Sequence, residues 1–89
     1  MNAWYVYIVR CNDDTLYAGM TNDVERRIDE HNGDNKLGAK YTRARRPVTL
    51  EYQQQFETRS AACKFEWHIK TLNRKQKEGL IKNSACDIK

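Results

Sequence analysis

The chain has 89 residues, of which 39% are apolar and 31% are charged. This length and this balance indicate one small domain with a modest core and exclude a disordered chain. No stretch approaches the roughly 18 consecutive apolar residues that a membrane span needs. Lysine and arginine total 16 against 12 acidic residues, which gives a formal net charge of +4. Such an excess suits a polyanionic partner, but it is as common in small proteins that bind nothing acidic.

The cysteine pattern and the first residues of the chain bear on its compartment. Cys11, Cys63 and Cys86 are odd in number and lack the spacing typical of a metal site. We therefore expect reduced thiols and no zinc site. The first four residues lead into a strand-like stretch without a basic leader, which is unlike a signal peptide. Together these features favour a cytoplasmic protein.

The first half of the chain predicts a β-hairpin followed by a helix. Residues 4–9 are a continuous run of strand-forming side chains, and residues 15–19 fit the returning strand after an intervening turn. Asn22, with Glu25 three residues later, is typical of a capping box at a helix N-terminus. Gly33 fits the end of this helix.

The second half predicts a strand and two helices. Residues 34–47 show no periodicity and predict a loop. Residues 48–56 alternate apolar and polar side chains, which is typical of a strand with one wet face at the edge of a sheet. Thr58 or Ser60 caps the next helix, and Asn73 opens a short final helix.

The predicted order of elements is β-β-α-β-α-α. A short hairpin requires antiparallel pairing of its two strands. We therefore expect an α+β fold in which a small three-stranded antiparallel sheet is flanked by helices. Residues 1–83 are expected to form a single domain, with residues 84–89 as a frayed tail.

Both long predicted helices carry charged residues on otherwise apolar faces. Arg27 and His31 share the face of Val24 and Ile28, and Glu66 lies on the apolar face of the later helix. Charged side chains are almost never fully buried unless they are paired. Arg27 and Glu66 therefore predict either a shared polar site or a buried structural salt bridge.

Three tyrosines lie together on the predicted hairpin. Tyr5 and Tyr7 point to one face of the first strand, and Tyr17 lies on the neighbouring strand. They are either part of a functional site or a set of core aromatic residues whose hydroxyls form hydrogen bonds at the rim of the core. Gly19 either lets backbone or a ligand approach the second strand closely, or it simply ends that strand.

These motifs resemble those of the GIY-YIG nuclease superfamily, most of all its small single-domain bacterial members. Tyr5-Val6-Tyr7 corresponds to the Gly-Ile-Tyr motif, and Tyr17-Ala18-Gly19 corresponds to Tyr-Ile-Gly, with one replacement in each. The arginine of the family's following helix matches Arg27, a histidine one turn later matches His31, and a glutamate on a later helix matches Glu66. The order and spacing of these residues together carry the resemblance.

The resemblance spans residues 3–82 and implies a GIY-YIG endonuclease-like fold. The replaced positions, the glycine of the first motif and the isoleucine of the second, contribute no catalytic chemistry in the family. The family often carries a late asparagine near its site, for which both Asn73 and Asn83 are candidates.

The activity implied by the resemblance is metal-dependent hydrolysis of phosphodiester bonds in DNA. Glu66 would bind one Mg²⁺ or Mn²⁺ ion, which usually keeps several of its waters. Arg27 would neutralise the phosphate. Tyr7 or Tyr17 would orient or deprotonate the attacking water. His31 is either the rival base or a residue that caps or packs the helix end.

The predicted loop is rich in cations. Between residues 36 and 46 it contains no acid, one tyrosine and five basic residues: Lys36, Lys40, Tyr41, Arg43, Arg45 and Arg46. Such a cluster suits contact with a phosphate backbone, where Tyr41 would stack on a base or touch the backbone. A merely solvated loop is the alternative.

Three functions are compatible with this pattern. The first is a DNA endonuclease that acts at branched, nicked or damaged sites in DNA repair, because so small a basic surface offers little to read a long sequence. The second is a nucleic-acid-binding module that no longer cuts. The third is an interaction domain for a protein of a repair or stress pathway. No membrane and no small-molecule cofactor are expected.

Overall fold

A single antiparallel sheet organises the part of the chain that the structure describes. The computed structural model describes the backbone of residues 3–33 and 40–87, and side chains over residues 3–33 and 41–82. Its elements are β1 (Trp4–Arg10), β2 (Leu16–Thr21), α1 (Val24–Gly33), α2 (Lys40–Arg43), β3 (Thr49–Phe56), α3 (Arg59–Thr71) and α4 (Arg74–Asp87). None of the described helices is long and apolar enough to cross a membrane.

The sheet has the strand order β2-β1-β3, with β1 antiparallel to both neighbours. This confirms the predicted three-stranded sheet with β3 at an edge. In this register Tyr7 lies between Gly19 on β2 and Gln53 on β3. The pairing of β1 with β3 shifts between Ile8 and Val9, where β3 accommodates an irregularity.

Side chains of β1 alternate between two hydrophobic clusters, as the period of a strand requires. Val6 and Ile8 belong to the larger cluster, which includes Ala62 and Ile69 of α3. Tyr7 and Val9 belong to the smaller cluster, against which Tyr17, Ile28 and Leu50 also pack. The second face is therefore the one that carries α1, Tyr7 and Tyr17, whereas Glu66 lies on α3, which packs against the first face.

Local capping chemistry begins the helices, with one correction. Thr58 caps α3 and accepts a hydrogen bond from the amide of Ala61 at 3.1 Å. The predicted cap of α1 at Asn22 is wrong, because α1 begins one residue later and Asp23 accepts from the amide of Arg26 at 3.1 Å. A pattern of cap residues does not fix which of two adjacent candidates is used.

Asn73 opens α4 through a reciprocal pair of bonds, as the sequence predicted. Its side chain accepts from the amide of Gln76 at 2.9 Å, and Gln76 accepts from the amide of Asn73 at 3.0 Å. Arg10 of β1 then ties α4 to the sheet through a salt bridge of 2.6 Å to Glu78. The final helix is thus both capped locally and held by a long-range ion pair.

Two segments differ from the prediction. The region predicted as a loop contains the short helix α2, which ends shortly before the cis peptide bond between Arg46 and Pro47. Helix α4 has helical backbone to Asp87 and is longer than the short final helix that was predicted, while fraying of residues 84–89 stays a prediction. The main order β-β-α-β-α-α is confirmed, with α2 as an additional short turn of helix.

Candidate active site

Tyr7 lies at the centre of the candidate site. Its side chain is 1% exposed, and its hydroxyl lies 2.8 Å from Nε2 of His31. His31 is buried near the end of α1, and its Nδ1 atom lies 2.8 Å from the hydroxyl of Thr42 on α2. A neutral imidazole has one N–H, so His31 donates in one of these bonds and accepts in the other. Tyr7, His31 and Thr42 therefore form a continuous buried hydrogen-bonded chain.

Gly19 makes room for the phenol of Tyr7. A Cβ at this position would lie 2.5 Å from the Tyr7 hydroxyl oxygen and 2.7 Å from Cζ, which no real contact allows. Since β2 continues to Thr21, the reading of Gly19 as a strand terminator is wrong. The close approach is made by a residue of the adjacent strand.

Burial sets the protonation of Tyr7 and His31. Burial raises the pKa of Tyr7 to about 12, although a hydrogen bond from Arg27 and the charge of Arg27 oppose this. Burial and, after it, the charge of Arg27 lower the pKa of His31 to about 4. Both side chains are therefore neutral at pH 7 in the protein without substrate.

Arg27 and Glu66 approach Tyr7 from different helices. Arg27 bonds to the Tyr7 phenol and also pairs with Glu30 at 2.9 Å. Glu66 pairs with Lys70 at 3.1 Å, and its charge contributes to the raised pKa of Tyr7. The Arg27–Glu30 pair and the Glu66–Lys70 pair each lie within one helix. Arg27 and Glu66 both act on the Tyr7 phenol, as a shared polar site requires.

Glu66 can act as a ligand for a divalent cation. Its side chain is 20% exposed, and Lys70 contacts its Oε2. Over residues 3–33 and 40–87, no group of three or more histidine, cysteine or acidic residues is placed to hold a metal ion. The donor set fits one Mg²⁺ ion held by a single carboxylate, because Mg²⁺ usually keeps several waters and takes further oxygens from a phosphate.

Aromatic rings connect His31 to the protein surface. Tyr17 meets the His31 ring edge-on at 5.5 Å between centroids, and Tyr41 stacks on Tyr17 at 5.6 Å. The guanidinium of Arg45 lies 4.0 Å above the Tyr41 ring. Of the three tyrosines on the hairpin, Tyr7 and Tyr17 therefore converge on His31, whereas Tyr5 lines a shallow groove beside the start of α1.

Comparison with known proteins identifies the family. The family model for the GIY-YIG catalytic domain matches residues 3–79. The chain belongs to the GIY-YIG family. This confirms the resemblance seen in the sequence, and this superfamily is one of nucleases.

Relatives of this GIY-YIG domain cover almost the whole chain. A UPF0213 protein of Staphylococcus saprophyticus is 52% identical over 81 residues, which cover 91% of this chain and 96% of that protein. The UPF0213 protein of Bacillus halodurans, solved by NMR, is 41% identical with a TM-score of 0.58 over 90% of this chain and 83% of that one. A protein of E. faecalis, also solved by NMR, is 41% identical, with a TM-score of 0.64. The match covers 97% of this chain and 90% of that one.

The cations predicted to contact nucleic acid are placed unevenly around this GIY-YIG site. Arg45 pairs with Asp13 at 3.0 Å, and Arg46 donates to the carbonyl oxygen of His31. Arg43 and Tyr41 are exposed. Lys36 and the side chain of Lys40 lie outside the described residues. Arg46 thus connects the basic segment to the end of α1, and contact with nucleic acid stays a prediction.

Two residues that support the site carry no signal in the sequence. Thr42 is fully buried against His31, yet it lies in a segment without periodicity. The Asn32 side chain accepts a hydrogen bond of 2.7 Å from the backbone amide of Val48 and donates one of 3.1 Å to the carbonyl oxygen of Val48. These two bonds fix the end of α1 beside the start of β3. Both act through tertiary contacts, which local pattern does not reveal.

Proposed function

We propose that this protein is an endonuclease that hydrolyses phosphodiester bonds in DNA with the help of one Mg²⁺ or Mn²⁺ ion. The observation that carries the proposal is the hydrogen bond between Tyr7 and His31, beside Arg27, in a GIY-YIG domain. A buried phenol between an imidazole and a guanidinium is arranged for proton transfer next to a site for an anion.

Tyr7 and His31 take the proton of the attacking water. The Tyr7 oxygen accepts this proton while its own proton passes to Nε2 of His31, 2.8 Å away. Burial and, after it, the charge of Arg27 hold the pKa of His31 low in the resting protein. A phosphate bound to Arg27 offsets that charge, so substrate binding makes His31 a better proton acceptor. Tyr17, which is less buried than Tyr7, orients the water.

Arg27 and Glu66 divide the remaining tasks. Arg27 binds a non-bridging phosphate oxygen through its guanidinium. Glu66 holds the divalent cation, which supplies positive charge for the phosphoryl oxygens and the leaving oxygen. Lys70, 3.1 Å from Glu66, keeps that carboxylate in place and adds a second positive charge near the phosphate.

The exposed part of the basic segment binds the DNA backbone. Arg43 and Tyr41 are exposed beside the stack that leads to His31, and this position suits contact with the strand that enters the site. The small contact surface favours branched, nicked or damaged DNA, as in DNA repair, over a long recognition sequence. The free thiols Cys11 and Cys63 suit a reducing cytoplasm.

Strand cleavage tests the proposal directly. Supercoiled plasmid and a branched oligonucleotide are incubated with the protein in Mg²⁺, in Mn²⁺ and in EDTA. We expect cleavage that EDTA abolishes and that Glu66→Gln lowers about 100-fold or more, because Gln is a far weaker ligand for a hard cation. The matched control is Glu57→Gln, at an exposed acid just before α3, which should cut normally. Cleavage that is equal in EDTA, or equal in Glu66→Gln, would overturn the proposal.

A non-catalytic nucleic-acid-binding module is the second candidate. The high pKa of Tyr7, about 12, favours it, because a phenol that stays protonated is a poor base. This candidate predicts salt-dependent binding of DNA or RNA without cleavage in any metal, and no effect of Glu66→Gln on binding.

A further inference from the structure

Trp67 on α3 is the most exposed large apolar side chain in the described part of the chain. It is 72% exposed, and Tyr41, the other exposed large apolar residue there, is 37% exposed. A tryptophan left in water presents a large flat surface that a binding partner can cover. Trp67 directly follows Glu66, the proposed ligand for the cation.

The outward face of α3 around Trp67 is cationic. Arg59, Lys64 and Lys70 are exposed on this helix, and Lys64 and Lys70 lie three residues before and after Trp67. Glu66, the one acid in the sequence of α3, is less exposed and its charge acts on Tyr7. This face therefore combines an exposed aromatic ring with positive charge, which suits a nucleic-acid strand better than an apolar protein surface.

The two exposed aromatic rings lie on elements that both contribute to the candidate site. Tyr41 of α2 reaches the site through its stack on Tyr17, and Trp67 is the residue of α3 that follows Glu66. A strand whose phosphate lies between Arg27 and Glu66 can thus offer its bases to aromatic rings on α2 and α3. In a paired duplex the base faces are covered by neighbouring pairs, whereas an unpaired base has a face free to stack.

We propose that Trp67 stacks on an unpaired base next to the phosphate that is cut. The substrate is then a nucleic acid with unpaired nucleotides at the cleavage position. The inference rests on the proposed nuclease function and deepens it by naming the substrate class. Trp67 is a substrate-binding residue in this account, and Lys64 and Lys70 contact the phosphates on either side of the stacked base.

Tryptophan emission tests the stacking without any cleavage. The chain has two tryptophans, so Trp4→Phe leaves Trp67 as the only one. In EDTA, we expect a single-stranded thymidine oligonucleotide, and a duplex with central unpaired thymines, to quench the emission of Trp67. A fully paired duplex of the same length should leave this emission almost unchanged. Equal quenching by the paired duplex would overturn the proposal.

Affinity measurements supply the second arm. Trp67→Ala should weaken binding of the oligonucleotide with unpaired thymines by about 5- to 100-fold, with Trp67→Phe close to wild type, because one stacked base contributes on that scale. Binding of the paired duplex should stay unchanged. The matched control Lys64→Ala should weaken both probes alike, since it removes a phosphate contact. No effect of Trp67→Ala, or an equal effect on both probes, would contradict the stacking.

The two arms separate this inference from the nuclease proposal. Metal-dependent cutting without quenching of Trp67 overturns the stacking alone. Quenching of Trp67 by unpaired bases without cutting in any metal supports the stacking and overturns the nuclease.

Discussion

At residue 19 the missing side chain determines where the Tyr7 phenol can lie. We expect Gly19→Ala to lower the free energy of unfolding by about 1–3 kcal/mol, because the new methyl group overlaps the Tyr7 ring. It should also displace the Tyr7 hydroxyl from His31 and so reduce cleavage. Urea unfolding followed by circular dichroism measures the first effect.

Gly79→Ala is the matched control for this substitution. A Cβ at Gly79 meets nothing within 4 Å, and the residue lies inside α4. We expect a gain of about 0.5–1 kcal/mol from the better helix propensity of alanine. A Gly19→Ala protein as stable as wild type would show that Tyr7 has room elsewhere.

His31 makes the stability of the protein depend on pH. Its pKa falls from 6.5 to about 4 on folding, chiefly through burial. Between these values the unfolded chain binds more protons, so the free energy of unfolding falls as the pH falls from about 6.5 to 4. The loss is up to about 3 kcal/mol. Urea unfolding at several pH values in this window measures it.

The second histidine provides the control for this pH dependence. We expect His31→Gln to flatten the dependence, and the same change at the exposed His68 to leave it. Glu78, whose pKa Arg10 and Arg74 lower from 4.5 to about 2, contributes only below about pH 4.5. A slope above pH 4.5 that persists in His31→Gln would contradict the assignment to His31.

At the scale of elements, local chemistry determined most of what could be predicted. Alternation and caps are properties of neighbouring residues, so β3 and the Asn73–Gln76 pair follow from the sequence. Thr58 is one of the two cap candidates that the sequence offers for α3. Helix α2 has four residues and no apolar period to reveal it. A tertiary contact holds α2 in place, the hydrogen bond between Thr42 and His31 of α1. Only the fold brings these two residues together.

Asn73 allows a structural role to be separated from a catalytic one. As the cap of α4, Asn73→Ala should cost about 1 kcal/mol in the free energy of unfolding, whereas Asn73→Ser keeps a good cap and costs little. If capping is its only role, cleavage by Asn73→Ser should match wild type. Normal stability with lost cleavage in Asn73→Ser would instead identify the family's late asparagine with this residue.

At the scale of the whole molecule, the two faces of β1 have different roles, and α3 contributes both to packing and, through Glu66, to the candidate site. One face of β1 packs Val6 and Ile8 against α3, and the other presents Tyr7 to α1. The sequence indicated Tyr7, Tyr17, Arg27, His31 and Glu66 as a set because each breaks an apolar pattern or matches a motif. It could not show which of them bond to one another, since those contacts join α1, α2 and the sheet.

The comparison of Tyr7→Phe with Tyr52→Phe in single-turnover plasmid nicking tests the central claim most directly. Both tyrosines are buried, but Tyr52 lies in the cluster on the opposite face of the sheet. We predict that Tyr7→Phe lowers the rate about 100-fold or more, because it removes the proton path to His31, and that Tyr52→Phe stays within a few-fold of wild type. A folded Tyr7→Phe protein that cuts at the wild-type rate would contradict the account.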